Sequence, residues 1–157
     1  MLLLTGEYKH TLDSKSRLLI SNKLRGQIDA VEHGSDFYLV LGANGILCLY
    51  PEKYYERLVV AISPDNVPAD EAVAFERMSA ALTCKVELDS QGRLLLNENL
   101  RNRAGLRSSI ALVGVRDHIE IWNEDSWDRY VSDHMAQYQS QMAGARKAML
   151  TEQKNQF

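Results

Sequence analysis

Two short segments of this 157-residue chain carry the same charged residues at the same spacing. The first runs through Asp13, Ser14, Lys15, Ser16 and Arg17, and the second through Asp89, Ser90, Gln91, Gly92 and Arg93. In both, the aspartate precedes an arginine by four residues, and the offset between the copies is 76 (89 − 13). A carboxylate and a guanidinium at this spacing could form an ion pair, take part in catalysis or bind an anion. Because an internal duplication governs the whole fold, the chemistry and the architecture have to be considered together.

Two interpretations give these residues a structural role or a catalytic role. In the first, the aspartates stabilise turns and pair with the nearby arginines, although an exposed pair contributes only about 0–1 kcal/mol. In the second, Asp13 and Asp89 form a catalytic dyad of the aspartic protease type. Such a dyad shares a proton, whereas a neighbouring arginine favours the charged form. The glycine of the protease turn is also replaced, by Lys15 and Gln91.

A third interpretation makes each turn a clamp for nucleic acid. The planar guanidinium suits phosphate and the O6/N7 edge of guanine, so Arg17 and Arg93 would reach outward and be exposed. Lys15 would join them, while Asp13 and Asp89 shape the loops. Two clamps in approximate twofold arrangement would match the approximate symmetry of a duplex.

The distribution of charge is compatible with a basic face, although the net charge is −3. Residues 1–25 carry five Lys/Arg against two Asp/Glu, and residues 83–107 carry five against three. Residues 26–82, by contrast, carry three against nine. A polyanion meets the local surface and not the net charge, so nucleic acid is not excluded. An ordinary mixed surface remains the alternative.

The segments lie within a repeated series of predicted elements. Each repeat reads as strand, turn, strand, short helix, strand, turn, strand and helix, and the first has strands at 7–12, 17–20, 37–41 and 46–50. Ser21 or Asn22, and then Asn97, are good N-caps, and Gly105 is a helix stop. The offset falls to 72 (114 − 42) in the second hairpin, which indicates a loss of four residues, most simply from around 31–35. Two such units facing each other predict a barrel-like body with pseudo-twofold symmetry.

The remaining segments predict connecting and terminal elements. Residues 63–68 read as a linker, and Asp70 could cap a helix that continues to Ala81. From Glu124 onward the pattern is helical, with a narrow apolar stripe that could pack on the protein's own body or on another subunit. Residues 153–157 are predicted to fray.

Other chemistry has little support in the sequence. Cys48 and Cys84 lack metal-ligand spacing and are interpreted as reduced, buried thiols. His118 and Glu120 could share one face of a strand, but two ligands are too few for a metal site, and we predict no metal and no cofactor. No Ser-His-Asp, phosphate-loop or zinc motif is present, so we predict no enzymatic activity. The N-terminal apolar residues are too few for a signal peptide, and a cytoplasmic protein without membrane association is expected.

The repeated residues, taken together, resemble the MraZ family of bacterial transcriptional regulators. The resemblance covers residues 5–131, both repeats included. It rests on Glu7-Tyr8, Leu12-Asp13-Ser14-Lys15, Arg17-Leu18, Leu49-Tyr50-Pro51, Glu87-Leu88-Asp89, Gln91-Gly92-Arg93, Leu112-Val113-Gly114 and Glu120-Ile121-Trp122.

The resemblance implies an α+β fold of two tandem AbrB-like swapped-hairpin repeats with flanking helices. The predicted boundaries are 5–62 for repeat one, 63–82 for a linker and connecting helix, 83–131 for repeat two, and 132–157 for a C-terminal helix and tail. It also implies ring-shaped homo-oligomers, octameric or larger. Ser16 departs from the family pattern, since a glycine usually stands at that position.

The resemblance further implies a sequence-specific regulator of the division and cell-wall gene cluster, located on the nucleoid. It would bind double-stranded DNA at G-rich repeats upstream of its own operon. The DNA-binding residues would be Arg17, Arg93, Lys15, Ser14 and Gln91, and the loop-shaping residues Asp13, Asp89 and Gly92. The alternative is an oligomeric assembly module whose basic loops bind an acidic protein partner.

Overall fold

A computed structural model of the chain describes residues 1–61 and 69–156, which contain eight strands and six α-helices. The strands are β1 (Glu7–Thr11), β2 (Arg17–Leu19), β3 (Phe37–Leu41), β4 (Leu47–Pro51), β5 (Thr83–Val86), β6 (Arg93–Leu95), β7 (Ser109–Val115) and β8 (His118–Asn123). The helices are α1 (Asn22–Arg25), α2 (Ala30–His33), α3 (Glu52–Ala61), α4 (Ala69–Ala81), α5 (Glu98–Ala104) and α6 (Glu124–Asn155). The strands predicted from the sequence are confirmed to within two residues, whereas α2 was not predicted.

Six strands form one antiparallel sheet in the order β1-β7-β8-β4-β3-β5, and β2 pairs only with β6. The fold is therefore mixed helix and strand, as expected. The predicted barrel-like closure is wrong, because β1 and β5 remain as the two edges of the sheet among the described strands. Since β2 and β6 pair with each other as a separate ribbon, neither extends the sheet toward closure.

The sheet is pseudo-symmetric: when each strand is replaced by its counterpart in the other repeat, the same strand order is obtained, read from the opposite edge. The first strand of each repeat pairs with the third strand of the other, β1 with β7 and β5 with β3. The paired positions show that the offset is 76 (85 − 9) for the first strands and 73 (111 − 38) for the third strands. Because Phe37 pairs with Pro51 and its equivalent Ile110 pairs with Asn123, the offset is 72 (123 − 51) for the central strands β4 and β8. The predicted four-residue loss is thus divided: three residues precede the third strand, and one lies in the following turn.

The predicted local signals are found at the ends of the helices. Ser21, and not Asn22, caps α1 by accepting the N–H of Lys23 at 3.3 Å. Asn97 caps α5 in the same way, and Gly105 ends that helix in the left-handed conformation with φ 64°. The side-chain oxygens satisfy backbone donors that the first helical turn leaves free.

The hydrophobic core draws apolar side chains from both repeats. Leu18 of β2 and Leu94 of β6 are buried at 0% and 1% exposure, and they face each other across the ribbon. Leu2 and Leu4 also belong to the core, and Leu4 forms a β-bridge with Arg116. Leu2 and Leu4 are therefore part of the folded body.

The chain divides into two compact units, Met1–Glu124 and the part of α6 from Asp125 onward. Asp70 lies in the first turn of α4 and not at its cap, and the predicted linker at 63–68 lies outside the described residues. Helix α6 continues to Asn155, so the predicted fraying from residue 153 is wrong for the described part. Of the described helices, none is both long enough and apolar enough to cross a membrane.

Candidate nucleic-acid interface

The first Asp-x-x-x-Arg segment is a tight turn built around the carboxylate of Asp13. Its Oδ1 accepts the backbone N–H groups of Lys15 and Arg17, each at 2.9 Å, and its Oδ2 accepts Nε–H of Arg17 at 2.6 Å. The N–H of Ser16 donates to the Asp13 carbonyl at 3.1 Å and closes the turn. One carboxylate therefore satisfies the loop backbone and fixes the direction of the arginine.

The second segment repeats this geometry. Oδ1 of Asp89 accepts the N–H groups of Gln91 at 2.9 Å and Arg93 at 3.0 Å, and Oδ2 accepts Nε–H of Arg93 at 2.9 Å. The N–H of Gly92 donates to the Asp89 carbonyl at 3.0 Å. The duplicated residues thus form duplicated structure.

The fourth residue of each turn has a positive φ, in the left-handed region. Gly92 has φ 81° and Ser16 has φ 60°, so the turn keeps its conformation although the glycine is replaced. A non-glycine residue in this region costs about 1–2 kcal/mol. Ser16 therefore carries backbone strain that Gly92 avoids.

The electrostatics of the two turns favour charged aspartates. The backbone N–H of Arg17 is the main cause that holds the pKa of Asp13 below its ordinary value, and the guanidinium adds to it. The backbone N–H of Arg93 lowers the pKa of Asp89 in the same way. A dyad that shares a proton needs one raised pKa. Because both pKa values are lowered, they give no support to the aspartic protease interpretation.

The ribbon of β2 and β6 places both arginines on one face. Arg17 is opposite Leu95 and Leu19 is opposite Arg93, so these four side chains share the face that points away from Leu18 and Leu94. Diagonal neighbours on such a ribbon are about 7–8 Å apart. Leu19 and Leu95 are exposed on this face, at 39% and 64%. The face thus carries two exposed leucines and two arginines whose backbone positions are diagonal neighbours.

The arginines are less exposed than the sequence predicts. The side chain of Arg17 is 35% exposed and that of Arg93 is 28% exposed. The physical reason is the bond from each Nε to the aspartate of its own loop, which holds the side chain along the turn. Because a guanidinium carries donors on three nitrogens, this bond at Nε leaves the terminal nitrogens chemically suited to a further acceptor.

Two further arginines, which sequence reasoning missed as site residues, link each helix to the turn of the other repeat. Nη1 of Arg101 on α5 donates to Oγ of Ser16 at 2.5 Å. Arg25 on α1 lies over the second turn, where a Cβ on Gly92 would be 2.5 Å from its Cζ. Arg25 and Arg101 are separated by the same offset of 76 (101 − 25) as the turns. That shared offset was the available signal.

The remaining predicted residues lie at the exposed tips of the turns. Ser14, Lys15 and Gln91 are exposed, and the backbone of the last two is held by the aspartates. A groove of about 670 Å³ adjoins the first tip, and its lining includes Lys15, Lys85 and Arg101. The arrangement can bind an extended anion, because cationic side chains lie beside a turn that its own hydrogen bonds hold in place.

Comparison with known proteins places this chain in a family. A family model described as "MraZ protein, putative antitoxin-like" matches residues 3–78 and 80–150, which include both turns. The chain belongs to the MraZ family. Among MraZ proteins named "Transcriptional regulator MraZ", that of Finegoldia magna is 31% identical over 85% of this chain and 90% of its own length. That of Caldicellulosiruptor saccharolyticus is 35% identical over 83% and 88%. That of Caldicellulosiruptor bescii is 36% identical over 80% and 84%. Membership of the MraZ family confirms the resemblance found in the sequence.

Proposed function

We propose that this MraZ-family chain is a sequence-specific DNA-binding transcriptional regulator without catalytic activity. The observation that carries the proposal is the pair of arginines on the outer face of the β2–β6 ribbon, each held by the aspartate of its own turn. A two-stranded antiparallel ribbon fits the major groove of B-DNA, and arginine is the residue that most often reads guanine there. The names of the relatives support a regulatory role.

The hydrogen bonds of each turn support a division of labour among its residues. Asp13 and Asp89 shape the loops together with Gly92, whereas Arg17 and Arg93 contact base edges. Ser14, Lys15 and Gln91, at the exposed tips, contact the phosphate backbone, which fixes the register of the protein on the duplex.

The exchange of first strands between repeats supports an AbrB-like swapped-hairpin classification. We therefore keep the boundaries 5–62 and 83–131 for the two repeats, with 63–82 between them and 132–157 as the C-terminal segment. One chain offers few phosphate contacts, so single-site binding would be weak. A ring of eight or more chains on spaced G-rich repeats would add avidity without new contacts. The target would be the DNA upstream of its own operon in the division and cell-wall cluster, and the protein would be found on the nucleoid.

The decisive experiment measures binding of this upstream DNA by Arg17→Ala and Arg93→Ala variants. A bidentate arginine–guanine contact contributes about 1–3 kcal/mol, so each variant should bind about 5- to 150-fold more weakly. Arg146→Ala is the matched control, because it removes an exposed arginine from the other compact unit. It should bind like the unmodified chain.

Circular dichroism of every variant keeps loss of folding separate from loss of contact. Unchanged affinity in both turn variants would contradict the assignment of these loops. A chain that oligomerises but does not shift the upstream DNA in a gel would instead favour an assembly module that binds an acidic protein.

A further inference from the structure

Three side chains with metal-ligating atoms meet at the centre of the six-stranded sheet. Cys48 on β4 is the cross-strand partner of Glu120 on β8, and His118 precedes Glu120 by two residues on the same face. The Cys48 Sγ, one His118 ring nitrogen and one Glu120 carboxylate oxygen lie within 4.8 Å of one another. Two repeats therefore contribute to one cluster, outside the β2–β6 ribbon.

The cluster is oriented by a second layer of hydrogen bonds. Asp117 Oδ1 lies 2.7 Å from Nδ1 of His118, and the hydroxyl of Tyr54 donates to Asp117 Oδ2 at 2.8 Å. This leaves Nε2 of His118 facing Oε2 of Glu120 at 3.2 Å. The other oxygen of Glu120 accepts Nε1–H of Trp122 at 3.1 Å. A carboxylate on the far nitrogen of a histidine is the usual support for a metal-binding imidazole.

We propose that Cys48, His118 and Glu120 bind a zinc ion that joins strands β4 and β8. A thiolate, an imidazole and a carboxylate are the donors that Zn²⁺ takes in proteins, and a water can fill the fourth position. From the usual zinc–ligand bond lengths, donors around a tetrahedral zinc lie about 3.3–3.8 Å apart. The ligand atoms lie within 4.8 Å of one another, so side-chain movements of up to about 1 Å would bring them to that separation.

The polar surroundings fit a positive ion at this position. Cys48 is 6% exposed, while the side chains of His118 and Glu120 are 15% and 22% exposed, so an ion would be largely shielded but reachable from outside. Nε2 of His118 and Oε2 of Glu120 lie 3.2 Å apart, so both atoms are placed to act as ligands of one ion. Zn²⁺ binding displaces any protons on the ligand atoms, so the affinity should depend on pH.

The test titrates the purified full chain with Zn²⁺ alone, in competition with a chromophoric chelator, and repeats the titration with Co²⁺. We expect one metal ion per chain and a thiolate-to-Co²⁺ charge-transfer band in the near ultraviolet. Cys48→Ser and His118→Asn should lose tight binding, and the band should be absent in Cys48→Ser. Cys84→Ser is the matched control, because it removes the chain's other thiol, which lies on β5 outside the cluster. It should retain both binding and band.

A second variant covers the case in which Cys48→Ser does not fold. Asp117→Asn leaves the three ligands in place but removes the negative charge that supports Nδ1 of His118, so its Zn²⁺ affinity should fall about 10- to 100-fold. Absence of Zn²⁺ binding by the unmodified chain would overturn the proposal. So would equal affinity in a folded Cys48→Ser, or in Asp117→Asn. Because the readout is metal binding, the result is separate from the DNA-binding experiment.

Discussion

The two Asp-x-x-x-Arg turns share a hydrogen-bonding skeleton but differ in the residues that surround it. In both, one carboxylate accepts two backbone N–H groups and one Nε–H. The first turn has a lysine at its tip and a strained serine bound by Arg101, whereas the second has a glutamine and an unstrained glycine under Arg25. The position of each arginine therefore depends on its aspartate, while the tip and the fourth residue differ between the two copies.

The largest expected difference between the turns is the loss of folding stability when their fourth residue is changed. Gly92→Ala should lower the free energy of unfolding by about 1–2 kcal/mol, because alanine is strained at positive φ. The new Cβ would also force Arg25 to move. Ser16→Ala keeps the existing strain and loses the Arg101 hydrogen bond, so it should cost only about 0.5–1.5 kcal/mol. Chemical denaturation of both variants measures the difference, and equal costs would show that the turns do not differ in this way.

A smaller difference is expected from the tips. If both tips face phosphate, log K should fall less steeply with log[salt] in Lys15→Gln, by about 0.9 in the magnitude of the slope. In Gln91→Lys it should fall more steeply, by about 0.9. The double variant, with the residues exchanged, should recover the original slope. DNA binding over a range of salt concentrations gives these slopes. A slope unaffected by Gln91→Lys would restrict phosphate contact to the first turn.

The smallest effect is the pH dependence of the stability that each aspartate contributes, and it should be alike in the two turns. The pKa values of Asp13 and Asp89 are lowered from an ordinary value of 3.8. A lowered folded-state pKa means that the stabilisation is present above the ordinary pKa and is lost as the pH falls through the folded-state value. Carbon-detected NMR titration should give both carboxyls pKa values below 3.8. An ordinary value in one turn only would show that its ion pair does not persist in solution.

Much of this protein could be predicted because its signals are local. The duplicated turns, the caps at Ser21 and Asn97 and the helix stop at Gly105 depend on residues a few positions apart, and all are found. The barrel closure was wrong because strand partners are chosen by packing between distant segments, and β2 and β6 pair with each other. The exposure of Arg17 was overestimated for a related reason, since an ion pair within the turn also shields the guanidinium.

The sequence by itself determined the repeat, its turn chemistry and the family, because each is encoded in the identity and spacing of neighbouring residues. Only the tertiary structure decided which strands pair across the repeats, and therefore that Arg17 and Arg93 share one face of a ribbon. It also brought Cys48 to His118 and Glu120, which turned an insufficient pair of ligands into a three-residue cluster. Long-range strand register places such groups together, and residue spacing along the chain carries no direct record of that register.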